Sequence, residues 1–179
     1  MTTVAKPVPV VTTYLELPDR AAFRPWWTTD PDVTVVESHI PFPAFYRFLY
    51  RAVGETYHWT MRLDWSDEQL LDYLSRPSVT LLVMYVKGTP AGYIELNAES
   101  EEPDVEVAYF FGLAPMFHGR GLGKHLLSVG VQRAFDDGAR RVWVHTCTLD
   151  GRYALANYQA RGFRPYKTTT ETVMIPVEG

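Results

Sequence analysis

The sequence predicts an α/β fold in which a mixed central β-sheet is flanked by helices. Runs of β-branched and aromatic residues, typical of buried strands, alternate with segments whose apolar residues repeat at helical spacing. One such run passes into one such segment through a glycine-rich turn at residues 118–124. The length of 179 residues suits a single domain with one core.

The first half of the chain contains strands, a loop and helices in turn. Strands are expected over residues 10–17 and 33–38, a packed loop or short helix over residues 19–32, and a helix over residues 42–53. Pro18 ends the first strand because proline has no N–H to donate. Ser66 and Gln69 have the spacing of a capping box, which predicts the start of the next helix.

The second half predicts a hairpin, a strand, the glycine turn, a helix, a strand and a short helix. The expected elements are strands at 79–87, 91–97, 105–111 and 141–148, helices at 122–135 and 152–161, and two closing strands within 163–175. In the first of these helices Leu126, Leu127 and Val131 belong to the inward stripe, whereas Ser128 is expected on the other side.

The glycine turn has the composition of an anion site. Gly119, Gly121 and Gly123 leave backbone N–H groups bare where a helix begins, and the helix start adds a partial positive charge. Such a turn can hold a phosphate. Arg120 and Lys124, with His118 or His125, add charge in a chain whose formal net charge is -4.

Two nucleotide-binding motifs fail at this turn. The P-loop pattern requires Gly where His118 stands and Ser or Thr where His125 stands. The dinucleotide fingerprint requires G-x-G-x-x-G, whereas the glycines here are spaced G-x-G-x-G. A third pattern fits: Leu113-Ala114-Pro115 followed by residues 118–123 resembles the pyrophosphate loop of GNAT-type N-acetyltransferases, with His118 in place of the first Gln or Arg.

A second signature follows in the right order. Residues 154–163, ALANYQARGF, resemble the A-x-x-hydrophobic-Y-x-x-x-G-F motif of the same acetyl-CoA-dependent family. The resemblance covers roughly residues 79–175 and implies one GNAT-like domain over residues 1–179. In it, residues 1–75 form acceptor-side helices and loops, and residues 76–179 form the acetyl-CoA-binding core. It also implies that the strands before the glycine turn and after its helix splay apart to hold acyl-CoA.

The resemblance further implies which residues contact the acetyl-CoA co-substrate. Backbone groups of residues 111–113 would pair with the pantetheine arm, and N–H groups of residues 119–124 would take the pyrophosphate. The predicted set is Phe111, Gly112, Leu113, His118, Gly119, Arg120, Gly121, Leu122, Gly123, Lys124 and Asn157. The family often has Asn where this chain has Gly151, so that role either is supplied by Asp150, Asn157 or the backbone or is missing.

Acyl transfer to an amine requires a base, an oxyanion donor and a proton for the departing thiolate. By resemblance, Tyr158 is the predicted acid and a backbone N–H near Leu113 the oxyanion donor. Glu106 is the predicted base, and Glu95 is a second candidate. The alternatives are that Tyr158 packs the short helix and that the two carboxylates are solvated or ion-paired.

Composition limits which partners and which cellular compartment are expected. The single cysteine, Cys147, precludes an internal disulfide and is expected in the core, which favours a reducing cytoplasm. The five histidines lack metal-ligand spacing, so no metal is expected. The acidic pI near 5.7 argues against nucleic acid. No apolar run suits a membrane helix, and residues 1–7 lack a signal-peptide core. The sequence leaves open whether the protein forms a homodimer.

The acceptor is the least specified part. Aromatic residues crowd residues 42–65, and Tyr57, His58 and Trp59, in an expected loop, are the pocket candidates. The leading hypothesis is an N-acetyltransferase that moves an acetyl group directly from acetyl-CoA to a primary amine on a small molecule. The alternative is a non-catalytic acyl-CoA-binding or regulatory module. The sequence leaves open the acceptor's identity, the acyl-chain preference and the oligomeric state.

Overall fold

The computed structural model describes residues 4–54, 57, 59–98 and 105–177. Within these residues, seven strands form one sheet and four α-helices flank it. The strands are β1 (Val4–Leu17), β2 (Val33–Glu37), β3 (Val79–Val86), β4 (Thr89–Asn97), β5 (Val105–Leu113), β6 (Arg141–Cys147) and β7 (Arg164–Val177). The helices are α1 (Pro43–Gly54), α2 (Asp67–Leu74), α3 (Leu122–Asp136) and α4 (Ala154–Ala160). The predicted mixed α/β fold is confirmed.

The first strand of the chain lies between the last two strands, β6 and β7, in the sheet. The strand order is β2-β3-β4-β5-β6-β1-β7, and β5 with β6 is the parallel pair. Residues 12–17 of β1 pair with β6, while the whole strand pairs with β7. The predicted division at residue 75 placed residues 1–75 on the acceptor side. In the structure, β1 instead pairs with β6 and β7, which belong to the second part of the chain.

The two closing strands expected within 163–175 are a single strand. β7 pairs with β1 from Val4 opposite Val177 to Glu16 opposite Arg164, with one irregularity after Tyr14. Because β1 begins at Val4 and not near residue 10, it gives β7 an uninterrupted partner. The sequence prediction of two strands was therefore wrong.

A connecting segment, residues 18–32, crosses from β1 to β2 along α3 and is called the strap here. It contains one short 3₁₀ turn and is otherwise extended or irregular. The Phe23 ring lies 6.3 Å from Phe135, and the Trp26 backbone N–H donates to Ser128 Oγ at 2.9 Å. Ser128 is fully buried beneath this contact. The expectation that Ser128 lies away from the buried stripe was wrong, because the strap covers that side of the helix.

Local signals explain several elements that the sequence predicted. The Ser66 hydroxyl accepts from the Gln69 N–H, and the Gln69 side chain accepts from the Ser66 N–H, which closes the capping box of α2. The β3–β4 hairpin turns through Lys87 and Gly88, whose φ angles are 50° and 79°. Positive φ at both positions is the requirement of a type I′ turn.

Two buried clusters pack on opposite faces of the sheet. The larger cluster lies between the sheet and α3, and the smaller lies between the sheet and the helices α1 and α2. The larger is represented by Leu15, Leu96, Leu126, Leu127, Val131, Val144, Tyr158 and Phe163. The smaller contains Tyr46, Leu49, Tyr50, Val53, Leu70, Leu81, Val83, Tyr93 and Phe110. Many of the aromatic residues of the N-terminal half thus form a core.

Candidate active site

A cleft opens where β5 and β6 separate. The two strands pair only over Val105–Val107 and Arg141–Trp143. On the other side of β5, Glu95 pairs with Phe110 and Leu96 with Ala108, so Tyr109 is an extra residue in the strand. This β-bulge bends β5 and increases its twist. The predicted splay of the two strands is confirmed.

The cleft side of β5 presents backbone hydrogen-bonding groups. The Ala114 N–H donates to the Ala91 carbonyl at 2.8 Å, so Ala114 and Gly112 direct their backbone groups toward β4. Successive residues of a strand alternate, which directs those of Phe111 and Leu113 into the cleft. The His118 side chain donates from Nε2 to the Leu113 carbonyl at 2.8 Å. His118 thereby joins the glycine turn to the end of β5.

The glycine turn is an open cradle of backbone donors. Gly119 and Gly121 both have φ of 74°, and Gly121 is the N-cap of α3 without any side-chain cap. A Cβ on Gly119 would have nothing within 4 Å. Among the described residues, no acceptor binds the N–H groups of residues 119–123. These donors and the helix start suit a phosphate.

Two residues of α4 and its C-cap carry buried polar atoms without a partner among the described residues. The Asn157 Oδ1 atom and the Arg161 Nε and Nη1 atoms are buried, and no hydrogen-bond partner for them exists in the described part of the chain. The Asn157 amide lies 4.0 Å from where a Cβ on Gly123 would be. Burial lowers the pKa of Arg161. A buried cation without a counter-ion is costly, so this side of α4 also fits an anionic ligand.

Tyr158 lies between the core and the cleft. Its ring centroid is 6.1 Å from that of Phe111 on β5 and 5.8 Å from that of Phe163, and the residue is 6% exposed. No described residue accepts a hydrogen bond from its hydroxyl. Burial and then the Asp150 carboxylate raise the pKa of Tyr158. The hydroxyl is therefore protonated throughout the neutral range, and no residue in the described ranges accepts its proton.

Asp150 is the carboxylate at the open end of β6. It accepts from the Thr146 hydroxyl at 2.7 Å and from the Cys147 N–H at 2.9 Å. Burial raises the pKa of the Cys147 thiol, and the Asp150 carboxylate raises it further. The same two causes raise the pKa of the Tyr57 hydroxyl. The pKa of His145 is lowered by burial, which Asp150 opposes. A thiol kept neutral is a poor nucleophile.

Tyr57 reaches across the mouth of the cleft. Its ring lies 6.5 Å from the His118 ring in a stacked arrangement. A Cβ on Gly151 would lie 3.3 Å from the Tyr57 hydroxyl, so this phenol occupies the space beside the glycine. The departure at Gly151 therefore has a structural consequence, because a larger residue there would crowd Tyr57.

The other two pocket candidates have different positions. His58 lies outside the described residues. The Trp59 ring packs against α1, since a Cβ on Gly54 would lie 2.4 Å from it, and its centroid is 5.0 Å from that of Phe110. Trp59 thus supports the smaller core, and Tyr57 is the member of the trio that the structure places at the cleft.

Glu95 is not suited to act as a base. It is fully buried and accepts hydrogen bonds from the Tyr46 hydroxyl at 2.8 Å, the Tyr73 hydroxyl at 2.6 Å and Arg62 Nη1 at 2.8 Å. The Arg62 guanidinium also lies 4.1 Å from the Tyr73 ring centroid. These partners leave the carboxylate as a structural ion pair, which was the alternative to catalysis.

Glu106 is placed only by its backbone. It pairs with Val142 in the short segment where β5 and β6 are still joined. Its side chain lies outside the described part of the structure, so its role as base stays a prediction.

The cleft and the glycine turn lie within a segment that matches a known protein family. The sequence model of the Acetyltransferase (GNAT) family matches residues 43–163, more than half of the chain. The chain therefore belongs to the GNAT acetyltransferase family. The match includes the glycine turn and both strands of the cleft.

Solved structures agree on the fold. A GCN5-related N-acetyltransferase from Kribbella flavida has a TM-score of 0.65 and 17% identity, over 98% of this chain and 61% of that one. A GCN5-related N-acetyltransferase from Sphaerobacter thermophilus has a TM-score of 0.63 and 18% identity, over 97% and 54%. An aminoglycoside acetyltransferase from an uncultured soil metagenomic sample has a TM-score of 0.62 and 18% identity, over 75% and 90%. The chain thus spans only about three fifths or less of the first two proteins.

The described residues contain neither a membrane-spanning helix nor a metal-binding cluster. No helix there is long and apolar enough to cross a membrane. No group of three or more His, Cys, Asp or Glu side chains there could hold a metal ion.

Proposed function

We propose that this protein is an N-acetyltransferase that moves an acetyl group directly from acetyl-CoA to a primary amine. The observation that carries the proposal is the cleft itself. It has cleft-facing backbone groups on β5, a cradle of N–H donors at the head of α3, and the hydroxyl of a buried tyrosine at its wall. These three features correspond to a pantetheine arm, a pyrophosphate and a leaving thiolate.

The chain's own residues supply distinct functions. Backbone groups of Phe111 and Leu113 bind the pantetheine arm as an added strand would, and the Leu113 N–H serves as the oxyanion donor. Residues 119–123 bind the pyrophosphate, with Arg120 and Lys124 adding charge. Tyr158 delivers its proton to the departing thiolate. Glu106, directly or through water, removes the proton of the attacking amine.

The acceptor is proposed to be a primary amine on a small, partly apolar molecule that binds beside Tyr57. An aromatic ring at the mouth of the cleft can cover apolar area and interact with an ammonium group. The sequence has no basic stripe, and its acidic residues within 99–106 form a short cluster and not an extended tract, so a large charged partner is not indicated. The aminoglycoside acetyltransferase among the similar structures supports small amines as a class to test first.

The test is acetyl-CoA consumption, followed by thiol release, with a library of small amines and peptides. Turnover with a small amine is the expected result, and Glu106→Gln should depress that turnover while CoA binding persists. Calorimetric binding of CoA without turnover for any acceptor would contradict the enzyme and favour a non-catalytic acyl-CoA-binding module. Acetylation of folded proteins alone would contradict the proposed acceptor.

A further inference from the structure

The strap runs antiparallel to α3 and ends at the glycine turn. Its contacts follow the helix from the C-terminal end to the N-terminal end. They are Phe23 with Phe135, Trp26 with Ser128, Thr28 with His125, and Asp30 with Arg120. A connection between strands at opposite sides of the sheet thus delivers side chains to the head of the helix.

Trp26 is the side chain that the strap sets beside the turn. Its Cη2 atom lies 3.6 Å from where a Cβ on Gly121 would be, and Lys124 Nζ lies 5.6 Å from its ring centroid. The backbone is fixed by the hydrogen bond to Ser128 Oγ at 2.9 Å. An aromatic face therefore stands at a fixed position next to a cradle for phosphate.

Core packing does not account for this ring. Trp26 belongs to neither buried cluster and is 37% exposed. In CoA the pyrophosphate links pantetheine to adenosine, so a pyrophosphate bound at Gly121 leaves the adenine within a few bond lengths of the turn. A purine has a π-face that stacks on aromatic side chains.

We propose that Trp26 is the stacking platform for the adenine of CoA, and that the strap makes the enzyme select CoA thioesters over thioesters of phosphopantetheine alone. The inference rests on the proposed function, since it assumes that the turn holds the pyrophosphate. Lys124, whose Nζ lies over the same ring at 5.6 Å from its centroid, supplies charge to the adjoining phosphates.

Calorimetry with two ligands, CoA and 4′-phosphopantetheine, tests the inference. Trp26→Ala should weaken CoA binding about tenfold, which is about 1.4 kcal/mol, and leave 4′-phosphopantetheine binding unchanged. Trp26→Phe should keep most of the CoA affinity because it keeps a π-face, whereas Trp26→Leu should behave like Trp26→Ala. The matched control is Trp27→Ala, because Trp27 is 45% exposed and packs edge-on against His125 with centroids 5.8 Å apart.

The other outcomes distinguish a failure of the Trp26 role from a failure of the proposed function. Equal weakening of both ligands, no weakening, or an equal effect of Trp27→Ala would overturn the role of Trp26 while leaving the proposed function in place. Failure of the wild-type protein to bind either ligand would overturn the proposed function, and the inference with it. Circular dichroism of each variant establishes that the fold is retained.

Discussion

At the scale of single residues, Glu95 and Tyr158 show how burial separates a structural group from a reactive one. Both are buried, but Glu95 accepts three hydrogen bonds from the protein, whereas no described residue accepts one from the Tyr158 hydroxyl. A buried polar group that is fully paired stabilises the fold. A protonated hydroxyl that no described residue binds is available to a ligand.

Replacing Tyr158 with Phe should lower turnover about 10²-fold, because the departing thiolate loses its proton donor. The KM for acetyl-CoA should change little, since the hydroxyl acts mainly in the transition state. Steady-state kinetics measure both. Tyr153→Phe is the control, because Tyr153 is an exposed tyrosine at the start of the same helix. Unchanged turnover, with chemistry shown to be rate-limiting, would remove the role.

The raised pKa of Tyr158 also predicts a pH profile. Burial and the Asp150 carboxylate disfavour the phenolate, so the hydroxyl keeps its proton above its ordinary pKa of 10.0. The rate should rise with pH as free amine appears, and it should not fall through loss of this proton below about pH 10. A pH–rate profile checks this, and a decline near neutrality that Tyr158→Phe abolishes would contradict it.

Glu95→Gln should destabilise the protein by about 3–5 kcal/mol, because it removes the carboxylate charge from a buried ion pair with the Arg62 guanidinium. Urea unfolding measures the loss. Asp72→Asn is the matched control, since the Asp72–Arg76 pair is exposed on α2 and should contribute only about 0.3–0.5 kcal/mol. A stable Glu95→Gln protein that had lost turnover would instead restore Glu95 as a catalytic base.

The two residues also differ in how far the sequence could reveal them. Tyr158 follows from a contiguous signature, whose spacing is set by one short helix. The partners of Glu95 are contributed by α1, α2 and the loop between them, so only the tertiary structure brings Tyr46, Arg62 and Tyr73 to one carboxylate. The adjacency of Trp26 and Gly121 was equally hidden, since they are distant in the sequence.

At the scale of elements, the site is built from the ends of β5, β6, α3 and α4. The hairpin, the glycine turn and the helix stripe were predictable because local chemistry sets them. The position of β1 and the continuity of β7 were not, because an edge partner is chosen by long-range pairing. Gly123 lies in the first turn of α3 and also faces residues of the cleft, so a change there affects both the helix and the binding site.

Gly123→Ala separates folding from binding. An added Cβ would lie 3.9 Å from Leu113 and 4.0 Å from Phe111, which is ordinary contact, so the free protein has room for it. Alanine in a helix should stabilise the fold by about 0.5–1 kcal/mol. The same methyl group narrows the cleft and should weaken CoA binding at least about tenfold. Thermal unfolding and calorimetry check both, and undiminished CoA binding would be incompatible with this placement.

At the scale of the whole molecule, one carboxylate ties the N-terminal strand to the C-terminal half. Glu16 accepts from Arg141 Nε at 2.6 Å and from Arg164 Nη2 at 3.0 Å, and so joins β1 to β6 and β7. Burial raises the pKa of Glu16, but the hydrogen bonds from Arg141 and Arg164 outweigh it and hold the pKa below its ordinary value. The strap and this ion pair together keep the N-terminal segment from β1 to residue 32 on the core.

Glu16→Gln should therefore lower stability at pH 7 by about 1–3 kcal/mol. A depressed pKa contributes stability above the unfolded value near 4.5, and that contribution is lost as pH falls through the folded value. The difference between wild type and variant should shrink as the pH falls below about 4. Urea unfolding from pH 7 to pH 3 measures it, with the exposed Glu171→Gln as control. A difference that persists at pH 3 would argue for lost packing.

If the glycine turn at the head of α3 binds the pyrophosphate of CoA, the CoA affinity measured by calorimetric titration should depend on Gly121. Gly121 and Gly88 have φ of 74° and 79°, so alanine imposes similar backbone strain at either position, and neither added Cβ would clash. Wild type and Gly88→Ala should bind CoA equally, while Gly121→Ala should bind at least about tenfold more weakly because the methyl group blocks close approach. Equal binding by Gly121→Ala, with the fold intact, would contradict the account.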